Sequence, residues 1–233
     1  YDTVWDWTLQ NESKPLWLQR PSEVEKEEYD GFFKTTFKEF MDPLAYNHFN
    51  VEGTYEFSGI VYIPGMAPFD MQEMQDARNI RLYVNKVFIS DKFDESFLPR
   101  YLSFVKGVID SRDLPLNVSR EILQQSRVSR IMRKQLVKRT LDTIKGIKKR
   151  EDSKDYDTFW EAFGKNLKLG VIEDQENREN LSNLLLFVSS ASGEGLTSLE
   201  DYVSRMKENQ KAIYYIAAES KDIAATSPFV EDL

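Results

Sequence analysis

The chain has 233 residues, with 41% apolar and 30% charged residues and a net charge of −8. That size suits one elongated domain or two to three subdomains, and no apolar run is long enough to span a bilayer. Cysteine is absent and histidine occurs once, as His48, which excludes disulfides, thiol nucleophiles, cysteine-ligated zinc and two-histidine metal sites.

Ser22-Glu23-Val24-Glu25 has the form of a capping box. Behind it Tyr29, Phe32, Phe33, Phe37 and Phe40 recur at helical spacing, which predicts a helix over 22–41 with an aromatic core face, ended by Pro43. His48 stands just before an apparent strand and reads as a structural histidine. Period-two patterning follows over 55–63, with Tyr55, Phe57, Gly59, Val61 and Ile63 on one face and Pro64-Gly65 as the stop. A second strand is predicted over 80–89 and a third over 105–109. A long helix is expected over about 120–149. Strands followed by a long helix suggest a layered α/β unit.

The charged stretch 148–157 marks a boundary, followed by helical pieces over 157–167 and 176–187. The run 189–195 is turn-like, and Thr197-Ser198-Leu199-Glu200 is a capping box opening a helix to about Lys207. Ile213-Tyr214-Tyr215-Ile216 reads as a buried strand, and 219–225 as a helix. The expected organisation is a large α/β unit over 1–150, a helical connector over 151–187 and a small α/β unit over 188–233.

Gly193-Glu194-Gly195 is not a phosphate loop, because Leu196 and Thr197 follow Gly195 and no lysine is placed to meet the phosphates. The interval 127–150 holds ten basic residues and only Asp142 as an acid, a local charge of +9, while the rest of the chain carries −17. A basic helix in so acidic a chain fits an acidic protein partner better than nucleic acid, which is not expected to bind. In the segment from Asp113 to Glu121, Pro115 favours extended backbone, and Asn117 and Ser119 can cap the helix that follows. Arg120 then falls in a first helical turn, beside free amides, where an incoming anion is well received.

These residues carry a resemblance. Asp113-Leu114-Pro115-Leu116-Asn117-Val118-Ser119-Arg120-Glu121, with Leu123-Gln124-Gln125, closely resembles the catalytic-loop signature of the ninety-kilodalton heat-shock protein family. Further blocks resemble the family in the same order. They include Lys14-Pro15-Leu16-Trp17, Ala67-Pro68-Phe69-Asp70, Val87-Phe88-Ile89-Ser90 and Leu102-Ser103-Phe104-Val105-Lys106-Gly107. Beyond the boundary come Lys168-Leu169-Gly170, Thr197-Ser198-Leu199, Ile213-Tyr214-Tyr215 and Ser227-Pro228-Phe229. Together they cover essentially the whole chain.

The resemblance implies the middle segment of an ATP-dependent chaperone: a three-layer α/β sandwich, a short helical connector and a smaller α/β unit. ATP and magnesium would be bound by an amino-terminal domain, and this chain would bind neither a metal nor a nucleotide. It implies that Arg120 reaches the ATP γ-phosphate when that domain docks, that Gln124 supports this geometry and that Asn117 shapes the loop. Phe88 is implied as an interdomain contact and Trp17 as a client contact. The implied partners are the amino-terminal ATP-binding domain, a carboxy-terminal dimerisation domain, client proteins and co-chaperones, within a homodimer. No membrane is implied.

ATP hydrolysis is not expected of this chain alone. A protein-interaction platform without catalytic contribution is the alternative. Arg112 stands where the family usually carries an acid, and Leu186 where it usually carries arginine. Ile63-Pro64-Gly65-Met66-Ala67-Pro68 is most similar to the plastid branch, which implies the chloroplast stroma; the endoplasmic reticulum, mitochondrion and cytoplasm are the alternatives.

Overall fold

A computed structural model describes residues 6, 14–67, 79–91, 98–114, 126–152, 154–193 and 195–230. The chain divides into two compact units, Tyr1–Ile147 and Lys148–Leu233.

The first unit is built on a five-stranded sheet of order β1-β2-β5-β3-β4. Its strands are β1 (Ala45–Val51), β2 (Phe57–Ile63), β3 (Ile80–Val84), β4 (Val87–Ser90) and β5 (Lys106–Ser111). All neighbours are antiparallel except β3 and β5, which run parallel. In register, Phe49 faces Gly59, Gly59 faces Ile109, and Ile109 faces Leu82, so one side of the sheet is continuously apolar. Helix α2 (Arg127–Lys148) covers this side. It buries Met132, Leu136, Leu141 and Ile144 and sets the Arg139 guanidinium 5.7 Å from the centre of the Phe49 ring. Gly59 is required there, because a Cβ would stand 2.5 Å from the Val108 carbonyl oxygen and 2.9 Å from Phe49 Cζ.

The other side carries Tyr46, His48, Ile60, Tyr62, Val108 and Asp110, and it packs on α1 (Lys26–Phe37) and a short 3₁₀ helix, Leu16–Leu18. Tyr29 and Phe33 of α1 are buried against this face. The Phe33 and Tyr62 rings lie 5.1 Å apart, and Tyr29 stacks on Tyr46 at 4.1 Å. Helix, sheet and helix form three layers, the expected α/β class.

Several elements differ from expectation. Helix α1 begins at Lys26, not near Ser22: Pro21–Glu23 forms a 3₁₀ turn, and the Glu25 amide donates to the Glu28 carboxylate at 3.1 Å. The acid-based box one turn further along therefore fixes the helix start. The helix stops at Lys38 in left-handed conformation (φ 57°), leaving Phe40 outside the aromatic face and exposed. His48 lies within a strand, β1, rather than before one. The interval 80–89 is a hairpin rather than one strand, since Asn85 and Lys86 both take positive φ (49° and 70°) and reverse the chain.

In the second unit, 157–167 is part of one longer helix, α3 (Lys154–Glu173). The interval 176–187 contains α4 (Arg178–Ser182) followed by strand β6 (Leu186–Val188). β6 pairs antiparallel with β7 (Leu196–Ser198). Tyr156, Phe159, Phe163, Leu167, Leu181 and Leu184 form the buried interior, and the Tyr156 hydroxyl donates to the Leu184 carbonyl. Leu186 is buried on β6. Ser198 caps α5 (Leu199–Ser204), its Oγ accepting from the Asp201 amide at 3.1 Å. The interval 213–216 is neither strand nor buried: among the described residues no strand pairs with it, and Tyr215 is 92% exposed. The Tyr214 amide donates to the Tyr202 hydroxyl at 3.3 Å instead of to a neighbouring strand. The chain's last described helices are α6 (Lys221–Ala225) and a 3₁₀ turn, Pro228–Val230.

Candidate functional site

The candidate site lies where β5 and the β3–β4 hairpin end together. Asn85 and Lys86 in left-handed conformation make a two-residue reversal whose twist matches antiparallel strands. Immediately beyond it Val87 and Phe88 stand half exposed on β4. Phe88 pairs across with Tyr83, the two rings meeting edge to face at 5.7 Å. Tyr83 in turn packs on the Trp17 indole at 4.6 Å, and Phe32 lies 5.9 Å from the same indole.

Trp17 is only 8% exposed, and its Nε1–H donates to Asp110 Oδ2 at 3.0 Å. Its carbonyl oxygen lies 3.2 Å from His48 Nε2, while His48 Nδ1 lies 2.7 Å from the Tyr29 hydroxyl. A carbonyl can only accept, so Nε2 carries the proton, Nδ1 is the acceptor and the Tyr29 hydroxyl donates to it. Burial holds the His48 pKa below its ordinary value, against the opposing effect of the Trp17 carbonyl.

Asp110 is 3% exposed. Besides the indole, its two carboxylate oxygens receive the Lys86 amide at 3.2 and 3.1 Å. From Asp110 the chain is tied down residue by residue. The Ser111 carbonyl accepts from the Asn85 amide at 3.1 Å, and the Arg112 amide donates to the Glu56 carbonyl at 3.2 Å. The Arg112 guanidinium pairs with the Glu56 carboxylate at 3.2 Å, and the Asp113 carboxylate accepts from the Glu56 amide. Leu114 is buried. A surface depression of about 260 Å³ lies here, lined by Leu18, Asn85, Lys86, Asp110 and Arg112.

On the far side Ser126 starts α2, its hydroxyl accepting from the Ser129 amide at 3.0 Å. Between these two anchored ends lies 115–125, which carries Asn117, Arg120 and Gln124 and falls outside the described residues. The described residues thus bring Phe88 and Trp17 into one aromatic row. Asp110, Tyr83 and Lys86 escaped the reading of the sequence. The available signal was alternation: Asp110 shares a strand face with Val108, and a carboxylate on a covered face needs donors.

Among the described residues no cluster of three or more His, Asp or Glu residues could hold a metal ion. No helix there is long and apolar enough to cross a membrane. Along α2, Arg127, Arg130, Lys134 and Lys138 are exposed on the surface.

With the geometry in place, likeness to known proteins is informative. The family model described as "Hsp90 protein" matches residues 1–233. Heat shock protein 90-5, chloroplastic, of Arabidopsis thaliana is 57% identical over 234 residues, covering 100% of this chain and 30% of that protein. Heat shock protein 90-6, mitochondrial, of the same plant is 53% identical, covering 100% of this chain and 29% of that protein. The chain thus spans less than a third of the length of these relatives. Among solved structures, the middle domain of a Plasmodium falciparum heat shock protein aligns with a TM-score of 0.81 and 42% identity, over 92% of this chain and 82% of that one. The chain belongs to the Hsp90 family, and its sheet, helices and sequence match that family's middle domain.

Proposed function

We propose that the chain is the middle segment of an ATP-dependent molecular chaperone, binding client proteins and co-chaperones and lending Arg120 to an ATP held elsewhere. In this reading ATP and magnesium sit in an amino-terminal domain, and Arg120 meets the γ-phosphate when that domain docks. A guanidinium placed there stabilises charge developing on the transferred phosphoryl group and completes the site only on closure. Gln124 supports the arginine, Asn117 shapes the loop, and Phe88 contacts the docked domain. Clients meet the surface around Trp17. The indole itself is packed between Phe32 and Tyr83, so contact with it is limited to its exposed edge.

The observation that carries the reading is that the loop signature falls in the sequence between two anchored ends, buried Leu114 and Ser126-capped α2. A homodimer closed through a carboxy-terminal domain, and residence in the plastid, complete the proposal; the chloroplastic relative supports the compartment. In the full-length protein, Arg120→Ala is expected to abolish most ATP turnover while ATP affinity stays within about twofold. Unchanged turnover would leave an interaction platform without catalytic contribution.

A further inference from the structure

We propose that Lys168 is a site of N-methylation, and that Trp160 and Phe187 hold its methylated ammonium as an aromatic pair on the surface of the second unit. The inference involves neither Arg120 nor ATP and stands apart from the proposed function.

The site is built within that unit from α3 and β6. Trp160, Gly164 and Lys168 follow one another at four-residue spacing on α3, so they line one face of the helix. Gly164 lets the indole lie against that face: a Cβ there would stand 2.8 Å from Trp160 Cδ2 and 2.9 Å from Cε2. Glycine weakens a helix interior, and the close approach of the ring accounts for its place here. The Lys168 ammonium lies 5.6 Å from the centre of the Trp160 ring. Phe187, carried by β6, supplies a second ring at 5.0 Å. Both rings are half-buried and Lys168 is exposed, so packing holds the rings while the amine stays within reach of solvent.

Hydrogen bonding decides which form of lysine suits this pair. An unmodified ammonium carries three N–H donors, and aromatic faces offer them no lone pair. Among the described residues no oxygen accepts from Lys168 Nζ and no carboxylate pairs with it. The pair thus gives its resident π-faces and no acceptor. N-methylation removes donors, keeps the positive charge and adds apolar contact, which is how aromatic sites take quaternary ammonium groups. Acetylation would discard the charge that the rings attract.

In the reaction a separate lysine methyltransferase presents the methyl sulfonium of S-adenosylmethionine. The deprotonated Nζ takes the methyl carbon, the carbon–sulfur bond breaks and S-adenosylhomocysteine leaves as a neutral thioether. One proton goes to solvent for each methyl added. Because Trp160 belongs to α3 and Phe187 to the β6–β7 hairpin, methylated Lys168 ties the hairpin to the helix more firmly than the bare amine.

The chain has no cysteine, so Lys168→Cys supplies a single thiol. Alkylation then gives three side chains of nearly lysine length, ending in a primary ammonium, a trimethylammonium or a neutral tert-butyl group of the same shape. Amide hydrogen exchange in the β6–β7 ladder is compared among them. The trimethylammonium form is expected to exchange about threefold more slowly than either of the others, the factor that a cation–π gain at an exposed site supplies. Its N-methyl proton resonance should lie upfield of the free position under the influence of the rings, and Trp160→Leu or Gly164→Ala should remove most of that shift. Equal protection by the tert-butyl form, or an N-methyl resonance at its free position, overturns the inference. Should Trp160→Leu fail to fold, Gly164→Ala decides, since alanine favours the helix and disturbs the indole. The modification itself is read by mass spectrometry of Lys168 in the protein isolated from the cells that make it. Mono-, di- or trimethyl-lysine supports the inference, and Lys168 found only unmodified or acetylated overturns it.

Discussion

Gly59 offers a sharp test of how the sheet is packed. Its backbone passes so close to β5 that an added Cβ would meet the Val108 carbonyl oxygen at 2.5 Å and Phe49 Cζ at 2.9 Å. The ring could swing, but Phe49 lies under the Arg139 guanidinium and 6.4 Å from the Phe57 ring, so its room is limited. The carbonyl belongs to the β2–β5 ladder and cannot retreat without lengthening its hydrogen bonds. Gly59→Ala is therefore an overpacking substitution, expected to cost about 2–3 kcal/mol. With a urea m-value of about 2 kcal/mol/M, the midpoint of the first unit should fall by roughly 1 M. Gly146→Ala is the matched control: it lies in α2 with nothing within 4 Å of the added Cβ, and should stabilise by about 0.5–1 kcal/mol. The assay is urea unfolding of both variants, following the near-ultraviolet circular dichroism of the aromatic core. Gly59→Ala unfolding at the parent's midpoint, with an unchanged m-value, would refute the packing described for β2 and β5.

Two further outcomes follow from individual groups. His48 is neutral and its pKa is lowered by burial, so the unfolded chain takes up the proton first as pH falls. Stability of the first unit is therefore full above the ordinary histidine value of 6.5 and declines as pH drops through it towards the lower folded value. His48→Gln should remove that slope between pH 7 and 5, measured as melting temperature against pH. In the second unit Ser198→Ala removes the cap of α5 and should cost about 1 kcal/mol, read from thermal unfolding. Separate hydrogen bonds, donated by the Ser198 hydroxyl and amide to the Asp201 carboxylate at 2.6 and 3.3 Å, lower the Asp201 pKa, so their contribution is present above the ordinary aspartate range and fades as pH falls through the lowered folded value.

Legibility in the sequence followed the range of the forces involved. The alternation Phe57, Gly59, Val61, Ile63 and the aromatic spacing of α1 are local patterns, and both elements form there, although β2 begins at Phe57 rather than Tyr55 and α1 spans only Lys26–Phe37. The 80–90 hairpin is not legible in the sequence because Asn85-Lys86 lacks the glycine that usually marks positive φ, so two short strands read as one. Leu184-Leu185-Leu186-Phe187 reads as the end of a helix because a short apolar run has no period to tell helix from strand. The 213–216 segment has a strand's composition, but composition cannot supply a neighbouring strand. Near the candidate site, Arg120 is singled out by its helix-start position and the family resemblance and lies outside the described residues, whereas Asp110 is hidden from the sequence. Its donors come from 24 and 93 positions away, and no local window joins them.

The central claim, that Arg120 completes an ATPase site held in another domain, is tested most directly by ATP turnover and ATP affinity in Arg120→Ala and Arg120→Lys full-length proteins. A transition-state contact predicts a loss of turnover of about 10³-fold or more in Arg120→Ala, with nucleotide affinity nearly unchanged. Arg120→Lys should recover only part of that rate, since a single ammonium cannot reproduce the planar two-pronged contact. Turnover equal to that of the parent protein in Arg120→Ala, or an equal loss of affinity and rate, would contradict the claim.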